Sequence, residues 1–364
     1  MERLSAKAEA GATERVRVIR MERTANSLDD VVIRAAMAPA AGEVVDLAHA
    51  VARVRQVTDT IRANVERVIV GKAAVIDLLL VALLSEGHTL IEDVPGMGKT
   101  MMARSLARSI SSAFARIQGT ADLLPGDITG ISYFNQKTGD WEFRKGAVFA
   151  NILLVDEINR IAPRTQSALL EAMQERQVSI EGQAVPLPSP FLLLATQNPI
   201  EMEGTFPLPE AQLDRFLLRL RVAYPTVDEE RSMLYRFKDA QPLDTLAAVT
   251  TAEEMGRLPA VVRAVRVSRP VADYLLAIVR ATREHPAIEL GASPRAALAL
   301  FRASQALAAM QGHDYVKPDE VKHLAVPTLA HRLLVTAQSR LQGRRVEDIV
   351  HEIITRIPVP VERL

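Results

Sequence analysis

The sequence predicts an α/β domain built on a parallel five-stranded sheet, followed by a helical domain, and three observations predict it. From about Asp46, short and strongly apolar runs alternate with helix-period segments, the pattern of strands covered on both faces. A glycine-rich turn joins the first of these strands to a helix. After Pro225 the strand-like runs stop and helices follow one another. At 364 residues and 39.9 kDa the chain suits two domains, and the boundaries are read as a flexible leader at 1–45, an α/β core at 46–225 and a helical domain at 226–364.

Taken in order, the leader is rich in Ala, Arg and Glu. It lacks the apolar centre of a signal peptide, and its acidic residues argue against a transit peptide. Met21 leaves a later start open. Strands are read at Thr89 to Glu92, Ala113 to Gln118, Asn151 to Asp156, Phe191 to Thr196 and Leu217 to Val222. Between them, Met102, Leu106 and Ile110 recur at helical spacing over Lys99 to Ile110, and Leu169, Leu170 and Met173 do so over Pro163 to Glu175. In the last third, Thr251 with Glu254 resembles a capping box. Ser293 before Pro294 reads as an N-cap with proline at the first helical position, and Gly312 closes that helix.

Composition excludes several classes of function. The chain is 48% hydrophobic and 24% charged, with 44 Lys plus Arg against 44 Asp plus Glu, so no chain-wide field favours phosphate polymers or anionic membranes. Nucleic acid is not an expected partner. The chain has no Cys, which excludes disulfides, thiol nucleophiles and thiolate metal sites. Its 7 His are scattered without a metal-ligand spacing. The longest apolar stretch, Val75 to Leu84, is interrupted by Asp77 and is too short to span a bilayer, so no integral membrane segment is expected and the cytoplasm is the default location.

The chemistry begins at Asp93-Val94-Pro95-Gly96-Met97-Gly98-Lys99-Thr100-Met101. Gly-Lys-Thr at the strand-to-helix turn is a phosphate-binding pattern, with Asp93 in place of the usual first glycine. The loop backbone from Pro95 to Met101 would face the phosphates, with N–H groups from Gly96 onward, Lys99 would reach the β and γ phosphates, and Thr100 would ligate Mg²⁺. A plain glycine turn is the competing reading. The strand Ile152 to Asp156 ends in two carboxylates, Asp156 suited to the Mg²⁺ shell and Glu157 to polarising water. A solvated acidic turn is the alternative there. The next strand runs into Gln197 and Asn198, an amide that could hold the γ phosphate or position the water. All three groups fall at carboxyl ends of parallel strands, where open α/β sheets bind ligands.

These segments resemble the AAA+ ATPases and, in wording, the MoxR family. The matching text is Ile91 to Thr100, Phe149 to Arg160, Thr165 to Glu175, Ala195 to Ile200, Glu203 to Phe216 and Gly291 to Ala296. The resemblance implies an αβα P-loop core with a helical lid, ATP and Mg²⁺ as cofactors, and a ring homo-oligomer, usually a hexamer. By position it makes Lys99 and Thr100 Walker A, Asp156 and Glu157 Walker B, Asn198 sensor 1, Arg215 the arginine finger and Arg295 sensor 2. A guanidinium suits both posts because it stays charged and offers forked donors to phosphate oxygens. A helix-end pairing with Asp214 is the competing reading of Arg215, and a solvated first-turn position that of Arg295. Arg160 is a rival interfacial arginine. Val70 and Gly71 resemble the segment packed on adenine, or an ordinary turn. The departure is Gln118-Gly119-Thr120, where the family more often carries an aromatic residue before the Thr.

Residues 119–146 resemble the family's insert, with Trp141 and Phe143 as its small core, and Val178 to Pro188 resembles a pore or partner hairpin tipped by Glu181-Gly182-Gln183. A hairpin that only covers the sheet is as consistent with the text. The resemblance implies an ATP-hydrolysing, chaperone-like remodeller of protein clients that works with von Willebrand factor A domain proteins. A magnesium-chelatase-like motor subunit and a nucleic-acid motor are the alternatives. The second is disfavoured because Val178 to Pro188 carries no Lys or Arg.

Overall fold

The computed structural model describes residues 47–92, 96–180, 182–198, 204–238 and 241–360. The expected leader at 1–45 lies outside them. The order is α1 (Leu47–Glu66), α2 (Ala73–Leu84), β1 (Thr89–Glu92), α3 (Lys99–Ser109), β2 (Phe114–Gln118) and α4 (Pro125–Thr129). A hairpin of β3 (Gly130–Asn135) and β4 (Asp140–Lys145) follows, then β5 (Ile152–Asp156), α5 (Pro163–Glu175) and a second hairpin, β6 (Gln177–Ile180) with β7 (Gln183–Pro186). Next come β8 (Leu192–Gln197), α6 (Glu210–Leu213) and β9 (Leu218–Leu220). The last third holds α7 (Val227–Arg236), α8 (Ala252–Arg263), α9 (Arg269–Glu284), β10 (Ile288–Leu290), α10 (Pro294–Met310), α11 (Pro318–Leu329), β11 (Leu334–Val335), α12 (Ala337–Leu341) and α13 (Val346–Arg356).

The main sheet is parallel with strand order β2-β5-β8-β1-β9. Its alternating side chains explain the continuous apolar runs. Ile152, Leu154, Leu192 and Leu194 face one core with α1, α2 and α3, while Leu153, Val155, Leu193 and Ala195 face another with α5. Each such leucine contributes roughly 1.5–3 kcal/mol by leaving water. The first core continues without a break into α8, α9, α10 and α11, so the helical third is seated on α1 and α2.

Local signals act mostly as read. Ser293 accepts from the Ala296 N–H at 3.3 Å, with Pro294 opening α10. Gly312 follows that helix with φ +83°. The expected capping box of α8 forms by half: Thr251 accepts from the Glu254 N–H at 3.2 Å, but the Glu254 carboxylate instead takes the Thr250 hydroxyl and Arg53. A short antiparallel pairing of β10 with β11 punctuates the helical third, where the sequence suggested no strand. In the insert, Trp141 is 70% exposed and stacks edge-on to Phe134, so it is not core; Phe143 does pack inward, against Phe149. The β6–β7 hairpin forms where Val178 to Pro188 predicted one, and Glu181 at its tip lies outside the described residues.

Candidate functional site

Because all five strands are parallel, their carboxyl ends share one edge of the sheet, and the sequence places its chemistry there. Asp93, Val94 and Pro95 lie outside the described residues. Gly96 and Gly98 take φ of +86° and +77°, and a Cβ on either would project into open space. That is a backbone cradle facing outward at the start of α3, whose N-terminus supplies N–H groups and a positive dipole end. Lys99 and Thr100 are half-buried in the first turn of α3. Met97 packs against the main core, whereas Met101 joins Val68, Leu243 and Leu246 beside the Val70–Gly71 turn. Gly71 in turn abuts the Glu229 side chain of α7.

The acidic pair sits one strand beyond the sensor strand. Thr196 on β8 accepts from the Glu157 N–H at 2.9 Å and turns its hydroxyl toward Asp156 Oδ1 at 3.4 Å, which ties β5 to β8 just before Asn198. Glu157 adopts a left-handed φ of 57°, a conformation a non-glycine residue holds only where its surroundings fix it. Gly119 explains part of that. A Cβ there would come within 2.2 Å of the Glu157 carbonyl oxygen, and the Gly119 N–H donates to the Asp156 carbonyl at 2.7 Å. The Gln118-Gly119-Thr120 stretch thus lies directly behind the acidic pair.

Two arginines hold these carboxylates. Arg116, on β2, donates to Asp156 Oδ2 at 2.6 Å, and Arg160 donates to Glu157 Oε2 at 3.1 Å within one chain. Arg116 shows in the sequence only as a cation within the β2 strand, and Arg160, expected as a rival interfacial arginine, here engages a carboxylate of its own chain.

Arg215 and Arg295 lie elsewhere. They line a cavity of ≈ 600 Å³ bounded by the turn that feeds β1 and by Leu217 at the entrance to β9. This is the amino edge of the sheet, roughly 13–20 Å of strand away from Lys99 and Asp156. The cleft also holds Arg176, Arg263, Arg302 and Arg332, with Glu86 and Asp214 as its acids. Glu86 takes both Arg176 and Arg263. The Asp214 oxygens take Arg332 at 2.7 Å and the Ser293 hydroxyl at 2.9 Å, so Asp214 is not the partner of Arg215. Among the described residues Arg215, Arg295 and Arg302 form no ion pair. Burial lowers the pKa of Arg332, opposed by Asp214, and burial with the adjacent Arg332 holds His331 neutral, well below the usual imidazole range.

The donor set fits a magnesium nucleotide. Thr100 and Asp156 offer hard oxygens, two protein ligands of the kind Mg²⁺ takes beside phosphates and water. Among the described residues no cluster of three or more acidic or His groups would hold a metal on its own. No helix is long and apolar enough to cross a membrane, again among the described residues.

Comparison with known proteins agrees with this layout. Residues 88–218 match the ATPase family associated with various cellular activities (AAA), and residues 280–353 match the AAA lid domain. The chain is 49% identical over 300 residues to the uncharacterized protein YeaC of Bacillus subtilis, covering 82% of this chain and 94% of the relative. It is 41% identical over 306 residues to Chaperone MoxR1 of Mycobacterium tuberculosis, covering 82% of this chain and 81% of that protein. A solved structure from Cytophaga hutchinsonii superposes with a TM-score of 0.81 at 35% identity, over 86% of this chain and 98% of its own.

Proposed function

The chain belongs to the MoxR family of AAA+ ATPases, and on that premise we propose that it is a ring-forming remodeller of protein clients whose ATP is hydrolysed between adjacent copies. The observation that carries this reading is the separation of charges across the sheet. The phosphate cradle, Asp156, Glu157 and Asn198 occupy the carboxyl edge, while Arg215 and Arg295 gather at the amino edge, too far away to serve the same nucleotide. Each chain then carries two half-sites.

In this mechanism Lys99 and the backbone of Gly96 to Thr100 hold the β and γ phosphates. Thr100 and Asp156 would hold Mg²⁺, which would supply neutralisation of phosphate charge there. Arg116 steadies Asp156, and Thr196 fixes the backbone that aims Glu157. Glu157 orients the attacking water and draws its proton, which requires Arg160 to release the carboxylate it holds. Asn198 bonds the γ phosphate. Arg215 and Arg295 of the adjacent copy meet the charge that develops on the phosphoryl group. Residues 46–225 form the core and 226–364 the lid in this reading, and the chaperone named among the relatives supports a protein client. A von Willebrand factor A domain protein is the proposed co-worker, by family analogy alone.

The client reading is tested by capture. Glu157→Gln charged with ATP should retain specific proteins that Lys99→Ala does not. Equal recovery by both variants would remove the nucleotide-gated client from the account.

A further inference from the structure

Helix α7 is amphipathic but buries no residue on its own chain. Val227 and Leu234, two turns apart, are 70% and 75% exposed, and Glu230 lies between them with no ion pair among the described residues. Its Thr226 capping box is complete, so the helix is well formed despite packing on little. On α10, Arg295, Leu298 and Arg302 repeat the same spacing on the wall of the arginine cleft. Leu298 is 59% exposed, and neither arginine has an acidic partner among the described residues. The cleft has six arginines against two acids, and both acids are already engaged. That excess of positive charge favours an acidic neighbour.

We propose that α7 of one copy docks on the Arg295–Leu298–Arg302 stripe of the next, with Glu230 meeting Arg302 and Leu298 packing between Val227 and Leu234. The inference rests on the reading that the nucleotide site is completed between copies. Position favours it. Glu229 abuts Gly71, so α7 stands beside its own Val70–Gly71 turn, and a neighbour that offers its phosphates to Arg295 brings α7 along the same face. Seven residues of α10 span about 10 Å, which separates a phosphate-facing Arg295 from an Arg302 aimed at the far end of the nucleotide site. On the α7 face Arg231 is already paired with Asp228, which leaves Glu230 as the unpaired charge between two apolar side chains. That face and the basic, apolar stripe of α10, each without an ion-pair partner for these charges among the described residues, are complementary in charge and in pattern.

The test is self-association of the full chain in a Glu157→Gln background with magnesium and ATP, followed by sedimentation over a range of concentrations. Arg302→Glu and Glu230→Arg should each weaken assembly about tenfold or more, because a like-charge pair replaces an attractive one. Both residues are exposed, so unfolding midpoints should not move. The two changes in one chain should restore assembly to within about threefold of the parent background. A single variant that assembles normally, a double variant as weak as the singles, or a parent that stays monomeric with ATP would each overturn the docking. The composite active site stands or falls separately, on complementation between Arg215 and Glu157 variants.

Discussion

His88 forms part of the wall of the arginine cleft, and its chemistry predicts how the domain responds to acid. The ring is buried: Nδ1 accepts the Leu193 N–H at 3.0 Å, which leaves Nε2–H to donate to the Met173 carbonyl at 3.0 Å. Burial lowers its pKa from 6.5 to about 4, with the Met173 bond opposing and the Arg176 charge assisting. Above pH 6.5 the ring is neutral folded or unfolded and costs nothing. As pH falls from 6.5 toward 4, the unfolded chain binds a proton that the native ring refuses, so stability drops with acidity. The full fall corresponds to about 3 kcal/mol, of which about 2 kcal/mol is lost between pH 7.5 and pH 5. His88→Gln keeps one acceptor and one donor but cannot titrate. Urea unfolding of both proteins at these two pH values isolates the effect, since every other ionisable group, His331 included, is common to both. The variant should be about 1–3 kcal/mol less stable at pH 7.5 and within about 1 kcal/mol of the parent at pH 5. Parallel pH curves for the two proteins would show that His88 is not held neutral by the fold.

Further outcomes follow from the site. Glu157→Gln should bind ATP like the parent but turn over about 10²–10⁴-fold more slowly, whereas Lys99→Ala should lose affinity itself; isothermal titration beside phosphate release separates the two. Arg160 holds Glu157 within one chain and must release it for turnover, so Arg160→Ala alone should keep ATPase activity; an inactive Arg160→Ala whose activity returns on mixing with Glu157→Gln would move Arg160 into the neighbour's site. Single- or double-stranded DNA should neither bind at physiological salt nor raise the ATPase rate, given the balanced charge. Submicromolar binding with a steep salt dependence would favour a nucleic-acid motor.

Much of this architecture is legible in the sequence because its signals are local. Leu90, Leu154 and Leu194 lie in short apolar runs that only a doubly covered strand makes natural, and Gly98-Lys99-Thr100 sits where such a strand meets a helix. What stays hidden depends on partners far apart in the chain. The Arg116–Asp156 contact joins residues 40 apart, and the arginine cleft draws from six separate segments. Competition also defeats local rules: Glu254 forgoes its capping bond because Thr250 and Arg53 reach the carboxylate first. Trp141 reads as core by its side chain alone, yet a two-stranded hairpin has no second layer to cover it. The pairing of β10 with β11 joins only a few residues and leaves no periodic trace.

The composite site is tested most directly by mixing Arg215→Ala with Glu157→Gln at concentrations where ATP drives assembly. Each variant alone should bind ATP and hydrolyse it poorly. In the mixture, some junctions join an intact Glu157 to an intact Arg215 from the other variant, and phosphate release should rise well above either parent preparation, peaking near equal proportions. A mixture that stays inactive while labelled subunits are seen to exchange, or a fully active dilute monomer, would contradict hydrolysis between chains.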